Sequence, residues 1–279
     1  MKKILHKIWN YSPAQVIAIL RNKLAAPAIV PDVKIDPQEM SRLNKISRYT
    51  GGETVFLDKP LEFIDASSYL SMLDEIFVKQ NYDFTASKND PLIIDCGSNI
   101  GISVIYFKTI YPAARILGFE PDQKAFAALE KNLKNFSLAD VEIFEKAVWT
   151  SNATLDFEVE GSWGGKINDV ASEKTIKVEA QRLKDLLNEP VDFLKIDIEG
   201  GETAVLQDCA DSLANVKNLF VEYHSDANQP QTLDQILKII SNAGMRYHIK
   251  EAAGRKKPFV NKITSGFDSQ LEIYAYRLN

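Results

Sequence analysis

Four polar side chains near the ends of two apolar segments could do acid–base chemistry. Asp197 and Glu199 follow "VDFLKI", and Glu222 and His224 lie in "FVEYH". Because side chains alternate along a strand, Glu222 and His224 share one face and Tyr223 takes the other. Carboxylates, and an imidazole with an unperturbed pKa of about 6.5, are common acceptors of a proton from a hydroxyl. We therefore predict that these four polar residues form a catalytic group, with His224 or Asp197 as the base.

Other roles remain open for the same side chains. His224 could instead cap the end of its strand by bonding to the backbone. Glu199 could orient Asp197 or begin the following helix, and Glu202 is interpreted as ordinary charge at a helix N-terminus. Asp197, Glu222 and His224 could also hold a divalent metal. Nothing in their spacing requires one, so no metal is assigned.

A second group of residues lies earlier in the chain, in "LIIDCGSNIG" and "GFEPD". Asp95 ends a predicted strand, and Gly97 and Gly101 flank the turn into the next helix. Glycine lets the backbone approach a ligand because no Cβ intervenes. Glu120, at the end of the second strand, could accept two hydrogen bonds from a ribose diol. Together these residues predict a nucleoside-like ligand.

The form of this turn distinguishes between two such ligands. A dinucleotide site favours G-x-G-x-x-G, and two of those glycines are absent here. The acid-x-Gly-x-x-x-Gly form suits S-adenosylmethionine better, since that ligand has no phosphate and carries an ammonium that favours a nearby carboxylate. A purely structural turn remains the alternative for the loop taken alone.

Predicted strands alternate with predicted helices from residue 92 onward. This order favours an α/β fold, a largely parallel, doubly wound sheet with helices on both faces. "VEIFEKAVW" is predicted as one strand of it. "TLDFEV" and "TIKVEA" alternate with period two and predict an inserted antiparallel pair. The last two strands have no helix between them, which allows an antiparallel final strand.

The region before the sheet predicts a mainly helical extension and cap over residues 1–88, with the ligand-binding domain over 89–279. Residues 38–90 are expected to form helices around an irregular "TGGET". Residues 1–31 carry five Lys or Arg and no acidic residue. Such a basic amphipathic segment, within residues 1–26, could contact an anionic membrane. Its interruption by Pro13 favours packing on its own domain or on a second subunit.

Composition excludes several classes of protein. The chain has 279 residues, 45% of them hydrophobic, and a net charge of -5, so no nucleic-acid partner is predicted. Its 2 cysteines provide neither a disulfide framework nor a zinc pattern. The apolar run near the N-terminus is too short for a secretory signal. The expected location is cytoplasmic, with peripheral contact at the inner membrane surface as an option.

Five segments together, "IIDCGSNIG", "GFEPD", "EKAVW", "FLKIDIEGGE" and "FVEYH", resemble the FkbM family of S-adenosylmethionine-dependent methyltransferases. The resemblance implies a class I methyltransferase (Rossmann-like) fold with a seven-stranded sheet, and O-methyl transfer to a saccharide or another small molecule. It implies that Asp197 faces the transferred methyl group. The cofactor contacts that it implies, with the flanking positions included, involve Asp95, Cys96, Gly97, Ser98, Asn99, Gly101, Glu120, Pro121, Lys146, Ala147, Val148 and Asp197.

Within this site, Asp95, Gly97, Asn99 and Gly101 would line the methionyl part, Glu120 would hold the ribose, and residues 146–148 would lie beside the adenine. The segment "GSWGGK", with Trp163, could form a lid over the acceptor or a plain hairpin turn. The alternative from another class is a non-catalytic protein that kept the fold as an adenosyl-binding module or scaffold. The acceptor itself and the oligomeric state are not determined by the sequence.

Overall fold

The computed structural model describes residues 27–159, 165–167, 175–252 and 255–278. Two predictions fall on other parts of the chain. The basic segment over residues 1–26 lies outside the described residues, and so does Trp163 with most of "GSWGGK".

Thirteen strands are present in the described ranges. In chain order they are β1 Gly52–Phe56, β2 Lys59–Phe63, β3 Leu92–Cys96, β4 Arg115–Phe119, β5 Glu142–Phe144, β6 Ala147–Trp149, β7 Thr154–Val159, β8 Gly165–Ile167, β9 Thr175–Arg182, β10 Val191–Ile196, β11 Val216–Asp226, β12 Arg246–Glu251 and β13 Phe267–Tyr276.

Six α-helices accompany these strands in the same ranges. They are α1 Pro37–Leu43, α2 Ala66–Leu73, α3 Ile102–Ile110, α4 Gln123–Asn135, α5 Glu202–Asp208 and α6 Leu233–Asn242. A π-helical turn, Asp74–Val78, extends α2, and 3₁₀ turns occupy Leu183–Leu186 and Ser212–Asn215.

Seven strands form the main sheet in the order β12-β13-β11-β10-β3-β4-β5. β13 is antiparallel to both of its neighbours, β11 and β12. The central strand β10 is parallel to β3 and β11. The predicted antiparallel final strand is thereby confirmed. The order reverses between β3 and β10, and ligands of such sheets bind beside the carboxyl ends of the strands at this point.

Both faces of the sheet are buried, as the apolar strands require. In β3, Ile93 packs into the core that contains α3 and α4, whereas Leu92 and Ile94 pack with α5 and α6 on the other face. This alternation explains why "LIIDC" is apolar throughout. Cys96 and Cys209 are buried free thiols within the second core, where they pack as small apolar side chains.

The segment between β5 and β10 differs from the sequence prediction. The predicted single strand "VEIFEKAVW" breaks after Phe144, so that β5 ends the main sheet while β6 begins a separate four-stranded sheet. The expected antiparallel pair is present, since β7 pairs with β9, with Leu155 opposite Val178. The sequence pattern could not reveal the break, because both halves contain apolar residues typical of a strand and only their pairing partners distinguish them.

The described part of the extension, residues 27–88, is less helical than predicted. "TGGET" leads into an antiparallel hairpin of β1 and β2 instead of remaining irregular between helices. The hairpin packs on α4, where the buried Asn132 side chain bonds to the backbone of Glu62 and Ile100. Hairpin residues Phe56, Leu61 and Phe63 share one core with the sheet. The predicted boundary between residues 88 and 89 stays a prediction. No helix in the described ranges is long and apolar enough to cross a bilayer.

Candidate active site

The turn after β3 is held tightly against the neighbouring strands. Gly97 has φ +91°, and a Cβ at this position would clash with the carbonyl oxygen of Asp197. The amides of Gly97 and Ser98 both donate to the carbonyl of Phe119 at 2.9 Å. Asn99 also takes a positive φ of 45°. The glycine predicted for close approach therefore approaches the chain itself, at the point where β3, β4 and β10 end.

Glu120 lies at the end of β4 and faces this turn. Its carboxylate accepts hydrogen bonds from the amides of Asn99 at 2.8 Å and Asp122 at 2.9 Å. The side chain is buried, and this burial raises its pKa to about 7 despite those two bonds. Each carboxylate oxygen keeps a second lone pair. Glu120 is thus held in place by the backbone and retains capacity for further donors such as a ribose diol.

Lys195 connects the two predicted halves of the site, and the sequence prediction missed it. Its buried Nζ lies 3.4 Å from Asp95 Oδ1 and 3.1 Å from Asp197 Oδ2, and it donates to the carbonyl of Gly97 at 2.8 Å. Burial disfavours this charge, but Asp197 and Asp95 outweigh that effect and raise the pKa of Lys195. The available signal was a lysine in the otherwise apolar strand "FLKID", because such a charge needs a partner.

His224 and Glu202 form a buried pair. His224 Nδ1 lies 3.2 Å from Glu202 Oε1, and the Glu202 carboxylate also accepts from the amides of Ile198 and Gly200. Glu202 is the first residue of α5, as predicted, but it is only 1% exposed and paired with His224, so it is not an ordinary helix N-terminal charge. The suggestion that Glu199 begins the helix is also wrong, because α5 begins at Glu202.

The other ring nitrogen of His224 faces two carboxylates. Nε2 lies 3.5 Å from Glu199 Oε2 and 3.7 Å from Glu222 Oε1. Ligand atoms of Asp197, Glu199 and His224 all lie within 4.8 Å of one another. The structure therefore brings the four predicted catalytic residues together. The three residues best placed to bind a divalent ion are Asp197, Glu199 and His224. The sequence had suggested Glu222 in place of Glu199.

Charge dominates the acid–base behaviour of this group. Burial lowers the pKa of His224, but the hydrogen bond that its ring donates to Glu202 and the charges of Glu202, Glu199 and Glu222 outweigh this effect and hold that pKa well above its ordinary value. Burial, and then the charge of Asp197, raise the pKa of Glu222 well above its ordinary value. The surroundings therefore favour the protonated forms of both His224 and Glu222.

A further pair of carboxyl groups, Glu272 and Glu75, lies beside Glu222. Glu272 lies directly opposite Glu222 on β13 and accepts hydrogen bonds from Tyr274 and Asn81. Burial and the charge of Glu272 raise the pKa of Glu75 to about 7. Neither glutamate was predicted, because only the pairing of distant segments brings them to the crevice.

The residues predicted to lie beside the adenine, 146–148, are in β6 and immediately before it, outside the turn after β3. Ala147 and Val148 are buried in β6, which pairs with β9, and the Lys146 amide donates to the carbonyl of Phe144. Phe144 also accepts from the Glu120 amide at 3.1 Å. The segment is thus tied to the end of β4, while its contact with adenine stays a prediction.

The hydrogen-bond acceptors around the turn after β3 suit the polar groups of S-adenosylmethionine. Asp95 Oδ1 is buried and, beyond its ion pair with Lys195 at 3.4 Å, makes no hydrogen bond, so it can accept one from an ammonium, while Glu120 can accept from a diol. The chemistry of these acceptors, at the reversal point of the sheet, matches a ligand that carries an amino acid at one end and a ribose at the other.

Residues 95–247 match the family model described as the methyltransferase FkbM domain. The chain belongs to the FkbM methyltransferase family. The match covers the turn after β3, Glu120 and the cluster around His224, and the sheet order is that of class I methyltransferases. The family resemblance and the fold expected from the sequence are thereby confirmed.

Named relatives agree with this assignment. Methyltransferase sdnD of Sordaria araneosa is 30% identical over 170 residues, which cover 48% of this chain and 66% of that protein. The 2-O-methyltransferase NoeI of Sinorhizobium fredii is 28% identical over 158 residues, which cover 49% of this chain and 64% of that protein. The chain thus spans slightly less than two thirds of the length of these relatives.

A solved structure, the methyltransferase FkbM from Methylobacillus flagellatus, is 17% identical with a TM-score of 0.44, covering 67% of this chain and 44% of that one. The family match supports methyltransferase activity over a non-catalytic scaffold.

Proposed function

We propose that this FkbM-family methyltransferase is an S-adenosylmethionine-dependent O-methyltransferase that acts on a hydroxyl of a saccharide or another small molecule. The observation that carries the proposal is the contact of Lys195 Nζ with both Asp95 and Asp197. It joins a turn suited to the cofactor to a cluster suited to a hydroxyl. The 2-O-methyltransferase among the relatives supports transfer to oxygen.

The cofactor site comprises the turn after β3 and the end of β4. Asp95 would hold the ammonium of the methionyl part, and Glu120 would hold the ribose diol. Lys195 fixes Asp95 and the Gly97 carbonyl in place. When bound, S-adenosylmethionine supplies an electrophilic methyl group on a positively charged sulfur. The protein's task is then to align and activate the acceptor oxygen.

We assign the base to Asp197. Its side chain is 24% exposed, in contact with Lys195, and can therefore be reached from the crevice. His224 is the weaker candidate because its surrounding carboxylates keep it protonated. In this role the Asp197 carboxylate would take the proton of the acceptor hydroxyl, while the oxygen would gain the methyl group that the cofactor's sulfur loses. Protonated His224 would neutralise the Glu199 carboxylate, which lies 3.5 Å from its Nε2.

The crevice favours a polyhydroxylated acceptor. Glu222, Glu272 and Glu75 provide carboxylates that accept hydrogen bonds from neighbouring hydroxyls. The ring of Phe267 lies 4.8 Å from that of His224, and Tyr274 bonds to Glu272. Aromatic faces beside carboxylates suit the apolar face and polar rim of a sugar ring.

Calorimetric titration tests the cofactor assignment. S-adenosylhomocysteine should bind with measurable heat, and NAD should not. Incubation with S-adenosylmethionine and a panel of neutral glycans should then give a product heavier by one CH₂ unit, and Asp197→Asn should lose this turnover while still binding S-adenosylhomocysteine. Binding of NAD in place of S-adenosylhomocysteine would overturn the cofactor assignment. Unchanged turnover in Asp197→Asn would overturn the base assignment.

A further inference from the structure

The connection between β12 and β13 carries an exposed apolar tip surrounded by positive charge. We define the 255–263 tip by those residue numbers. Phe259 is 93% exposed, Val260 is 74% exposed and Ile263 is 40% exposed. Large apolar side chains presented together in this way mark an interaction site more often than an ordinary surface.

The charges of the 255–263 tip all have one sign. Arg255, Lys256, Lys257 and Lys262 lie in it, and no acidic residue occurs between Glu251 and Asp268. Within the part of the chain that the structure describes, none of these four cations forms an ion pair. The local charge is thus opposite to the net charge of -5 carried by the whole chain.

The tip has a defined local conformation. The amides of Val260 and Asn261 both donate to the carbonyl of Lys257 at 2.9 Å, closing a turn. The Asn261 side chain donates to the carbonyl of Lys256 at 2.6 Å. These bonds hold Phe259 within the turn, and Lys256 and Lys257 precede it with only Pro258 between.

We propose that the 255–263 tip docks on an anionic phospholipid bilayer, inserting Phe259 and Val260 among the lipids while the surrounding cations contact the headgroups. Apolar side chains gain by leaving water, and Lys and Arg gain near the negative potential of an anionic leaflet. A soluble polyanion such as nucleic acid would use the cations but would leave Val260 and Ile263 in water. This surface is separate from residues 1–26, so it makes an independent prediction.

The docked tip would lie close to the candidate active site. The Gly266 carbonyl, just after the tip, accepts from the amide of Ala227 at 2.9 Å, and the next residue, Phe267, contacts the His224 ring. Docking would thus favour an acceptor carried by the same membrane. That consequence rests on the proposed function, whereas docking itself does not.

Co-sedimentation of the full chain with vesicles tests the proposal. The protein should pellet with vesicles of phosphatidylcholine mixed with phosphatidylglycerol and stay in solution with phosphatidylcholine alone, and added salt should release it. Phe259→Ser/Val260→Ser and Lys256→Glu/Lys257→Glu should each weaken partitioning by about tenfold or more. The matched controls are Ile29→Ser/Val55→Ser, at other exposed apolar positions, and Lys45→Glu/Lys124→Glu, at other exposed lysines.

Each contrary result is decisive. Undiminished binding by Phe259→Ser/Val260→Ser means that the tip does not insert, including the case in which residues 1–26 carry the binding. Equal binding to vesicles with and without phosphatidylglycerol would mean that the cations of the 255–263 tip do not contribute to docking. Binding of the wild type to a short RNA but to neither vesicle would identify a soluble polyanion instead. Because binding is measured without turnover, its failure leaves the proposed methyl transfer untouched.

Discussion

Glu202 Oε1 lies 3.2 Å from His224 Nδ1, and two backbone amides fix the same carboxylate. The imidazole therefore has a defined orientation, with Nε2 directed at Glu199 and Glu222. Glu202 acts through His224 and is a positioning residue.

Replacing Glu202 by Gln should lower turnover by roughly ten- to a hundredfold, because the imidazolium loses its main stabilising partner. The pKa of His224 should fall, so the alkaline limb of the pH–rate profile should move to lower pH. Binding of S-adenosylhomocysteine should change little. Glu130→Gln, on an exposed part of α4, is the charge-matched control. An unshifted pH profile with reduced turnover would show that Glu202 is merely structural.

Lys195→Met should destabilise the protein by about 3 kcal/mol, because the fully buried Asp95 and the adjacent Asp197 would lose their cation. Urea unfolding gives the free energy of unfolding for the comparison. Lys177→Met, which removes the exposed ion pair with Asp156, should change it by less than about 1 kcal/mol. Similar effects for both variants would mean that Lys195 does not compensate these carboxylates.

Gly97→Ala should destabilise the protein by about 3 kcal/mol or more and abolish binding of S-adenosylhomocysteine. The added Cβ would meet the Asp197 carbonyl, and the backbone has φ +91°. Gly244→Ala is the control, since it also has a positive φ of +73° but meets only the Arg277 side chain at 3.6 Å. That variant should lose about 1 kcal/mol from backbone strain alone. Equal destabilisation by the two variants would mean that the positive φ accounts for the whole effect at Gly97, without a contribution from the clash with Asp197.

The raised pKa of Glu120 predicts how the free energy of unfolding depends on pH. Its pKa rises from 4.5 in the unfolded chain to about 7 in the fold because of burial. The folded state thus binds a proton more tightly, and this contribution to stability is full below pH 4.5 and is lost as pH rises through about 7. Its size is about 3 kcal/mol.

Relative to the wild type, Glu120→Gln should therefore become more stable by that amount as pH rises across this window. Urea unfolding at a series of pH values in the absence of ligand measures the difference. Glu142→Gln, at an exposed position on β5, serves as the control. Parallel pH curves for the wild type and Glu120→Gln would contradict the assignment of this slope to Glu120.

Local patterns were sufficient to locate much of the site. Asp95, Gly97 and Glu120 follow apolar runs that had to be buried strands, and parallel strands end at one edge of the sheet, so these residues had to meet. The alternation in "FVEYH" likewise placed Glu222 and His224 on one face. Such inferences hold because period, strand direction and glycine geometry are properties of short segments.

Partners from distant segments were decided only by the tertiary structure. Glu202 looked like a surface charge at a helix start, yet packing buries it beside His224. Lys195 lies in an apolar strand, and its two carboxylates come from different strand ends. Nothing in the sequence marks Glu272 as the neighbour of Glu222, or "EKAVW" as the place where the chain leaves one sheet for another. The amino-acid sequence determined which groups end the strands; the free energy of burying charges together determined which of them touch.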